Sequence, residues 1–313
     1  MTSLLLLLLS VPCIYWTQGV DSRAKLEAAG IKRLCVAPDQ IESWRAAGFL
    51  TTALTEADLA AREAIPSPGI VARAGLASPT RSPWIVANGW RFTRHPASKY
   101  AYVVPAGKGA LAIAEAFAYG ADAVLKIDPE DLGNVGAMLT FLERLPVAEL
   151  PAVADLAVVD DGAAITGEVM NLLARRNLLF EVVRSPAARF RINIVVGGNE
   201  YPRDEAADPS AFALKVRHQL TDEQRSLRVY GSEVVICRLT GNAERARLHL
   251  LNYGGREIEG LRIRLRGTYR GGAAYVAGAG RAALADHVVA EGATEFSLPR
   301  IATYAVVDLD ARP

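Results

Sequence analysis

Three cysteines in 313 residues, with no CxxC pair and no Cys/His cluster, leave nothing from which a zinc site could be built. Histidine is as scarce. His95, His218, His249 and His287 stand far apart, and a solitary histidine reads as structural before it reads as catalytic. No GxSxG elbow offers a nucleophile. The one Gly-Lys step that opens a helix, Gly107-Lys108, lacks both the glycine five residues upstream and the following Ser or Thr of a phosphate loop. Gly197-Gly198 and Gly278-Ala279-Gly280 lack the spacing of a dinucleotide fingerprint. The expectation is therefore no metal and no cofactor. A surplus of one charge sign is absent too. The formal net charge is +1, which argues against a nucleic-acid partner, because such partners select a concentrated basic field. Arg262, Arg264 and Arg266 do cluster, but their alternate spacing puts them on one face of a strand, read as its solvated face.

No apolar run is long enough to cross a membrane, which takes ~20 residues. The nearest, Leu4 to Trp16, fits the apolar centre of a secretory leader instead. Residues 1–19 are read as a signal peptide cleaved after Gly19, and the chain as exported, periplasmic or extracellular, with no transmembrane span after cleavage. Cys13 raises a lipoprotein reading, but Pro12 before it is a poor match to the small residue expected there. Cys35 and Cys237 would then remain. Each sits in an apolar strand-like run and reads as a buried free thiol.

What the chain does have is strand–helix alternation. Its clearest unit is Pro151 to Gly198. Ala154 to Val159 is a short apolar run between turn signals, as for a strand buried on both faces of a parallel sheet. Thr166 to Asn177 follows as a helix, then Leu178 to Val183 and Phe190 to Val196 as strands. The same alternation fills the first part: helix Lys25 to Gly30, strand Arg33 to Ala37, helix Asp39 to Ala47, strand Phe49 to Leu54 and helix Thr55 to Ala64. Later come helix Ala106 to Gly120, strand Ala123 to Ile127 and helix Asp131 to Leu145. After helix Ala211 to Leu220, the pattern changes to short strands separated by Gly-rich turns, which indicates an antiparallel sandwich. The fold class is thus α/β, a parallel sheet with flanking helices, followed by a C-terminal antiparallel β-sandwich. The expected divisions are 20–231, with subdomains 20–146 and 147–231, then 232–313.

Two constellations could carry chemistry. Asp128 ends one strand, and Asp160 and Asp161 end another, where ligands bind in open parallel sheets. Lys126 lies two residues before Asp128, on the same side of the strand. A carboxylate pair is what glycoside hydrolysis needs. The plainer reading makes Asp128-Pro129 and Asp160-Asp161-Gly162 ordinary helix entries. The second constellation lies in the Pro- and Gly-punctuated stretch Ile65 to Pro105, read as a long aromatic loop. Asn88, Trp90, Arg91, Tyr100 and Tyr102 offer flat apolar faces with polar rims, which suit sugar rings. The alternative is that they cover one end of the sheet.

The order of parts resembles a family. Ala106 to Leu145 looks like the closing units of a barrel. An α/β unit with the AVVDDG strand end and a small sandwich ending YAVVDL follow. This is similar, over about Pro146 to Pro313, to the accessory half of secreted β-galactosidase-like glycoside hydrolases, where a glutamine-amidotransferase-like domain and a β-sandwich follow the catalytic barrel. The chain departs from that pattern. Too little precedes Pro146 for a full (β/α)8 barrel of ~250 residues, and Asp160-Asp161 is no cysteine elbow. The resemblance implies a non-catalytic or degenerate relative in a carbohydrate setting. The sequence reading is therefore an exported carbohydrate-associated binding or assembly protein, with a glycan hydrolase using the strand-end carboxylates as the alternative. Its expected partners are an oligosaccharide and further copies of itself.

Overall fold

The computed structural model describes residues 11–71 and 84–311. They fall into two compact units. The first comprises described residues within Met1–Gly69 and His95–Val147, the second those within Ile70–Arg94 and Ala148–Pro313.

The first unit is built on parallel strands. Lys99–Val104 lies between Glu63–Ile65 and Asp122–Ile127, and the latter pairs on its far side with Cys13–Ile14. A parallel bridge from Tyr15 to Cys35 continues the arrangement to Arg33–Val36, which pairs in parallel with Leu50–Ala53. Among the described residues the first strand of this unit therefore neighbours its last, the pairing by which a (β/α)8 barrel closes, with fewer strands described here. Apolar side chains on nearly every side of helix Gly109–Tyr119 explain its burial, and Gly120 ends it in the left-handed conformation at φ +62°, as expected. Helix Leu132–Glu143 approaches the end of helix Arg23–Ala28 closely. A Cβ on Gly136 would lie 1.7 Å from the Ala29 carbonyl oxygen.

Two expectations need correction here. Cys35 is not a free thiol: it is joined to Cys13 by a disulfide, with Cα atoms 5.8 Å apart. The parallel bridge at Tyr15 and Cys35 brings the two strands within disulfide span. Cys237 is the buried free cysteine. Part of the expected leader is also built into the fold. Cys13 and Ile14 pair with Val124 and Leu125, and Trp16 is buried and donates its indole N–H to Ser22 Oγ at 2.8 Å. The leader residues Leu4 to Ser10 lie outside the described residues.

In the second unit, Leu156–Val159 is flanked in parallel by Phe180–Val183 and Asn193–Ile194. The expected strand Phe190 to Val196 shortens to two residues. The Asn193 side chain bonds back to Ala187 and Phe190, so the chain there turns rather than extends. Helices Ala164–Arg175 and Pro209–Leu220 pack on this sheet, through Val169, Leu173, Phe212 and Val216 among others.

Nine antiparallel strands follow in two sheets. The four-stranded sheet runs Leu227–Tyr230, Ile258–Arg266, Ala293–Ile301, Ala285–Ala290. The five-stranded sheet runs Val235–Gly241, Arg245–Asn252, Tyr304–Asp310, Gly271–Val276, Gly280–Ala282. Leu261, Ile263, Leu265 and Phe296 of the first share one core with Leu248, Leu250, Val307 and Leu309 of the second. The strands begin at Leu227, before the expected boundary at 232.

The outer side of edge strand Val235–Gly241 is occupied. Asn177 donates its side-chain N–H to the Val235 carbonyl at 2.9 Å and accepts from Cys237 N–H at 2.8 Å. Further along, Val153 N–H donates to Leu239 O and Gly241 N–H to Pro151 O. Asn177 reaches this position from a left-handed turn, φ +52°, that ends helix Ala164–Arg175.

Candidate functional site

Asp160 follows strand Leu156–Val159 and precedes helix Ala164–Arg175, where a parallel sheet presents its ligand-binding edge. Its carboxylate is engaged. Arg94 donates Nε to Oδ2 at 3.0 Å and Nη2 to Oδ1 at 2.6 Å, a two-pronged pair with both side chains largely buried. Gly162 N–H donates to the same Oδ1 at 2.9 Å, and Arg94 also reaches the Ala163 carbonyl at 3.2 Å. Asp161 serves the helix start. Its Oδ1 accepts from Thr166 Oγ1 at 2.7 Å and from Ala163 N–H at 3.0 Å, and its Oδ2 meets Arg203 at 3.2 Å. The Thr166 hydrogen bond is the main reason its carboxyl sits below the usual range. Both aspartates thus fix the turn that leads into the helix, the plainer of the two readings for this motif.

Trp90, Arg91 and Asn88 are also in the second unit, on and just before the short helix Gly89–Arg94. Asn88 is fully buried and Trp90 is 8% exposed. The Arg91 guanidinium lies 4.2 Å from the Trp90 ring centroid and donates to Asn88 Oδ1 at 3.3 Å. Trp90 and Arg94 press on Gly167, where a Cβ would come within 3.0 Å of the indole and 2.8 Å of the guanidinium. That helix anchors Arg94 against Asp160.

Asp128, Lys126, Tyr100 and Tyr102 belong to the first unit. Asp128 caps the turn Pro129–Asp131 by accepting from Glu130 N–H at 2.9 Å, and Lys126 is exposed on its strand. Tyr100 and Tyr102 are buried. Tyr100 donates its hydroxyl to the His95 carbonyl at 2.8 Å, and Tyr102 donates to Glu115 Oε2 at 2.6 Å.

The expected aromatic platform is therefore corrected: Trp90, Tyr100 and Tyr102 are core side chains and present no exposed faces to a sugar ring. The expected loop around them holds helix Gly89–Arg94 and strand Lys99–Val104, while its Gly75, Pro79 and Pro83 lie outside the described residues. The signal was present. Tyr100, Tyr102 and Val104 alternate with Lys99, Ala101 and Val103, the period of a strand. Reasoning from sequence also passed over Arg94, Thr166 and Arg203, which hold the two aspartates. Among the described residues, no group of three or more His, Cys, Asp or Glu could hold a metal ion, and no helix is long and apolar enough to cross a membrane.

No family model matches this chain, and no curated protein matches it in sequence. Solved structures do. An α-L-fucosidase (isoenzyme 2) from Paenibacillus thiaminolyticus superposes with a TM-score of 0.53 at 10% identity, over 72% of this chain and 62% of that one. A GH42 β-galactosidase from G. stearothermophilus, Gan42B, gives a TM-score of 0.39 at 9% identity, over 79% of this chain and 53% of that one. The β-galactosidase of Rahnella sp. R3 gives 0.37 at 11%, over 79% and 54%. This chain spans between half and two thirds of the length of these structures. The first establishes a likeness of fold alone, to a glycoside hydrolase.

Proposed function

We propose that this chain is a carbohydrate-associated binding or assembly protein that does not turn its ligand over. The observation that carries this reading is the engagement of two of the three strand-end carboxylates, Asp160 and Asp161. Asp160 is held by Arg94 and Gly162, and Asp161 by Thr166, Ala163 and Arg203, so neither stands ready as acid or nucleophile. The fold likeness to an α-L-fucosidase supports a glycan setting. The succession of an α/β unit and two antiparallel sheets sharing one core supports the finer likeness, to the amidotransferase-like domain and β-sandwich of β-galactosidase-like hydrolases. The apolar N-terminal run and the Cys13–Cys35 disulfide support export, because disulfides persist in oxidising compartments. A cut after Gly19 would remove Cys13 and its strand, so the disulfide supports export only in a chain that keeps Cys13. Self-association belongs to the same proposal. Light scattering at micromolar concentration tests it.

The test is a thermal-shift titration with neutral and acidic oligosaccharides, run alongside an assay for released reducing sugar. A ligand of the folded state raises the melting temperature. The expected result is a shift with one sugar class and no release of sugar. Sugar release by the parent protein would overturn the binding reading in favour of a hydrolase.

A further inference from the structure

We infer that the outer face of the four-stranded antiparallel sheet binds an acidic glycan, a chain bearing uronate carboxylates. The inference rests on the carbohydrate reading above and gives that reading a surface. Strand Ile258–Arg266 alternates strictly. Leu261, Ile263 and Leu265 enter the core, which turns Arg262, Arg264 and Arg266 outward. On the neighbouring strand, Arg228 stands opposite Arg264, and Tyr230 opposite Arg262.

Five arginines here converge on two carboxylates. Arg217, Arg225 and Arg228 share Asp222, at 3.8, 3.5 and 3.0 Å. Arg262 and Arg264 share Glu295, with Arg264 at 3.7 Å. Arg264 Nη1 is shielded from solvent and makes no hydrogen bond. Glu223 and Asp286 also act electrostatically on Arg228 and Arg262, while Arg266 extends the row, so cations still outnumber anions. Like charges directly opposite across a sheet destabilise it, and the net charge of the whole chain is only +1. Arg228, Arg262, Arg264 and Arg266 form this concentration on the sheet itself, with Arg217 of helix Pro209–Leu220 and the buried Arg225 beside them. Tyr230 lies among it, 4.8 Å from the Arg228 guanidinium and 5.5 Å from that of Arg262 by ring centroid. Tyr230 packs against two of these guanidiniums and holds them in a row, and planar two-pronged donors so held match the carboxylate of an acidic sugar. Glu295 occupies the place such a carboxylate would take.

The experiment is affinity electrophoresis and calorimetric titration of the full chain with polygalacturonate. Its methyl-esterified form, neutral galactan and single-stranded DNA serve as comparison probes. Binding to polygalacturonate is expected, weakening as salt rises and lost on esterification. Arg262→Ala should weaken it about tenfold. Glu295→Gln, which releases Arg262 and Arg264 from their internal partner, should strengthen it several-fold, a gain that a misfolded protein would not show. Equal binding of the esterified polymer, equal binding of DNA, or no response to either substitution would overturn the inference. Binding of neutral galactan alone would overturn it and leave the carbohydrate reading standing. No binding to any glycan would overturn both.

Discussion

Asp155 takes two hydrogen bonds from one residue, Ser226: the backbone N–H donates at 2.9 Å and Oγ at 2.6 Å. The pair ties the residue before the central parallel strand to the residue before the first antiparallel one. Burial raises the Asp155 carboxyl above the usual carboxylate range, and the two Ser226 bonds only partly oppose it. The folded state therefore holds this proton to higher pH than the unfolded chain, whose aspartates titrate near ~3.9. Its contribution to stability is greatest below that value and declines as pH rises through the folded pKa. Asp155→Asn should thus gain on the parent protein between pH 4 and pH 7, as read from urea midpoints at both. A parent protein that gains on the variant as pH rises would show that hydrogen bonding, not burial, governs this carboxyl.

Asp160→Asn should cost stability rather than only function. It removes an ionic partner of a largely buried guanidinium, a change worth about 3 kcal/mol when such a pair is broken on one side. A lowered urea midpoint of that order checks it. An unchanged midpoint would mean the Arg94 contact is dispensable to the fold.

Asp161→Ala should cost about 1 kcal/mol, the scale of a lost hydrogen bond, since it removes the acceptor for Ala163 N–H and Thr166 Oγ1. Its carboxyl is held low, so its contribution is present above the unfolded value near ~3.9 and lost as pH falls through the folded one. The difference between parent and variant should therefore shrink on acidification below pH 4, and denaturation at pH 3 and pH 7 reads it.

Gly136→Ala should be among the most damaging single-methyl changes available. Alanine ordinarily favours a helix over glycine, by about 1 kcal/mol at most. Here the added methyl would meet the Ala29 carbonyl at 1.7 Å, so two helices must separate. A net loss of about 2 kcal/mol is expected from such overpacking, seen as a lowered melting temperature. Gly133→Ala, at a helical position with open space around it, is the control and should be neutral or stabilising.

Reducing the Cys13–Cys35 bond should lower the folding free energy by about 3 kcal/mol, from the unfolded-chain freedom it removes across a separation of 22 residues. The check is denaturation with and without reductant. A thiol reagent should find Cys237 unreactive in the folded protein, because burial pushes its thiol well above the ordinary range.

The elements legible in the sequence are those whose side chains obey one period. Helix Gly109–Tyr119, with Gly120 as its stop, and strand Leu156–Val159 lie where alternation and punctuation put them. Two kinds of element were hidden. Strand Lys99–Val104 and helix Gly89–Arg94 sit in a stretch dense with proline and glycine, and those breakers mask a short regular element between them. Strand Ala293–Ile301 carries Pro299 near its end, and Ala285–Ala290 pairs through an irregular register, so neither shows clean alternation. For the candidate site, the strand ends were legible but the roles were not. Whether Asp160 is free depends on Arg94, 66 residues away, and no local pattern reports so distant a contact. The disulfide was missed for a related reason: treating residues 1–19 as removable took Cys13 out of consideration.

The hydrogen bonds that Asn177, Pro151 and Val153 make to strand Val235–Gly241 also bear on how the protein behaves in concentrated solution. An open sheet edge is a template on which a second chain can add a strand, the first step of aggregation. At this edge the groups that would recruit it are engaged by the chain's own connector and by a side-chain amide acting as a piece of strand. At the opposite edge of the same sheet, Gly280–Ala282 is only three residues long and offers little length for a foreign strand to read. Asn177→Ala would therefore expose a recruiting edge as well as remove hydrogen bonds, and its signature would be growing turbidity at concentrations where the parent protein stays clear.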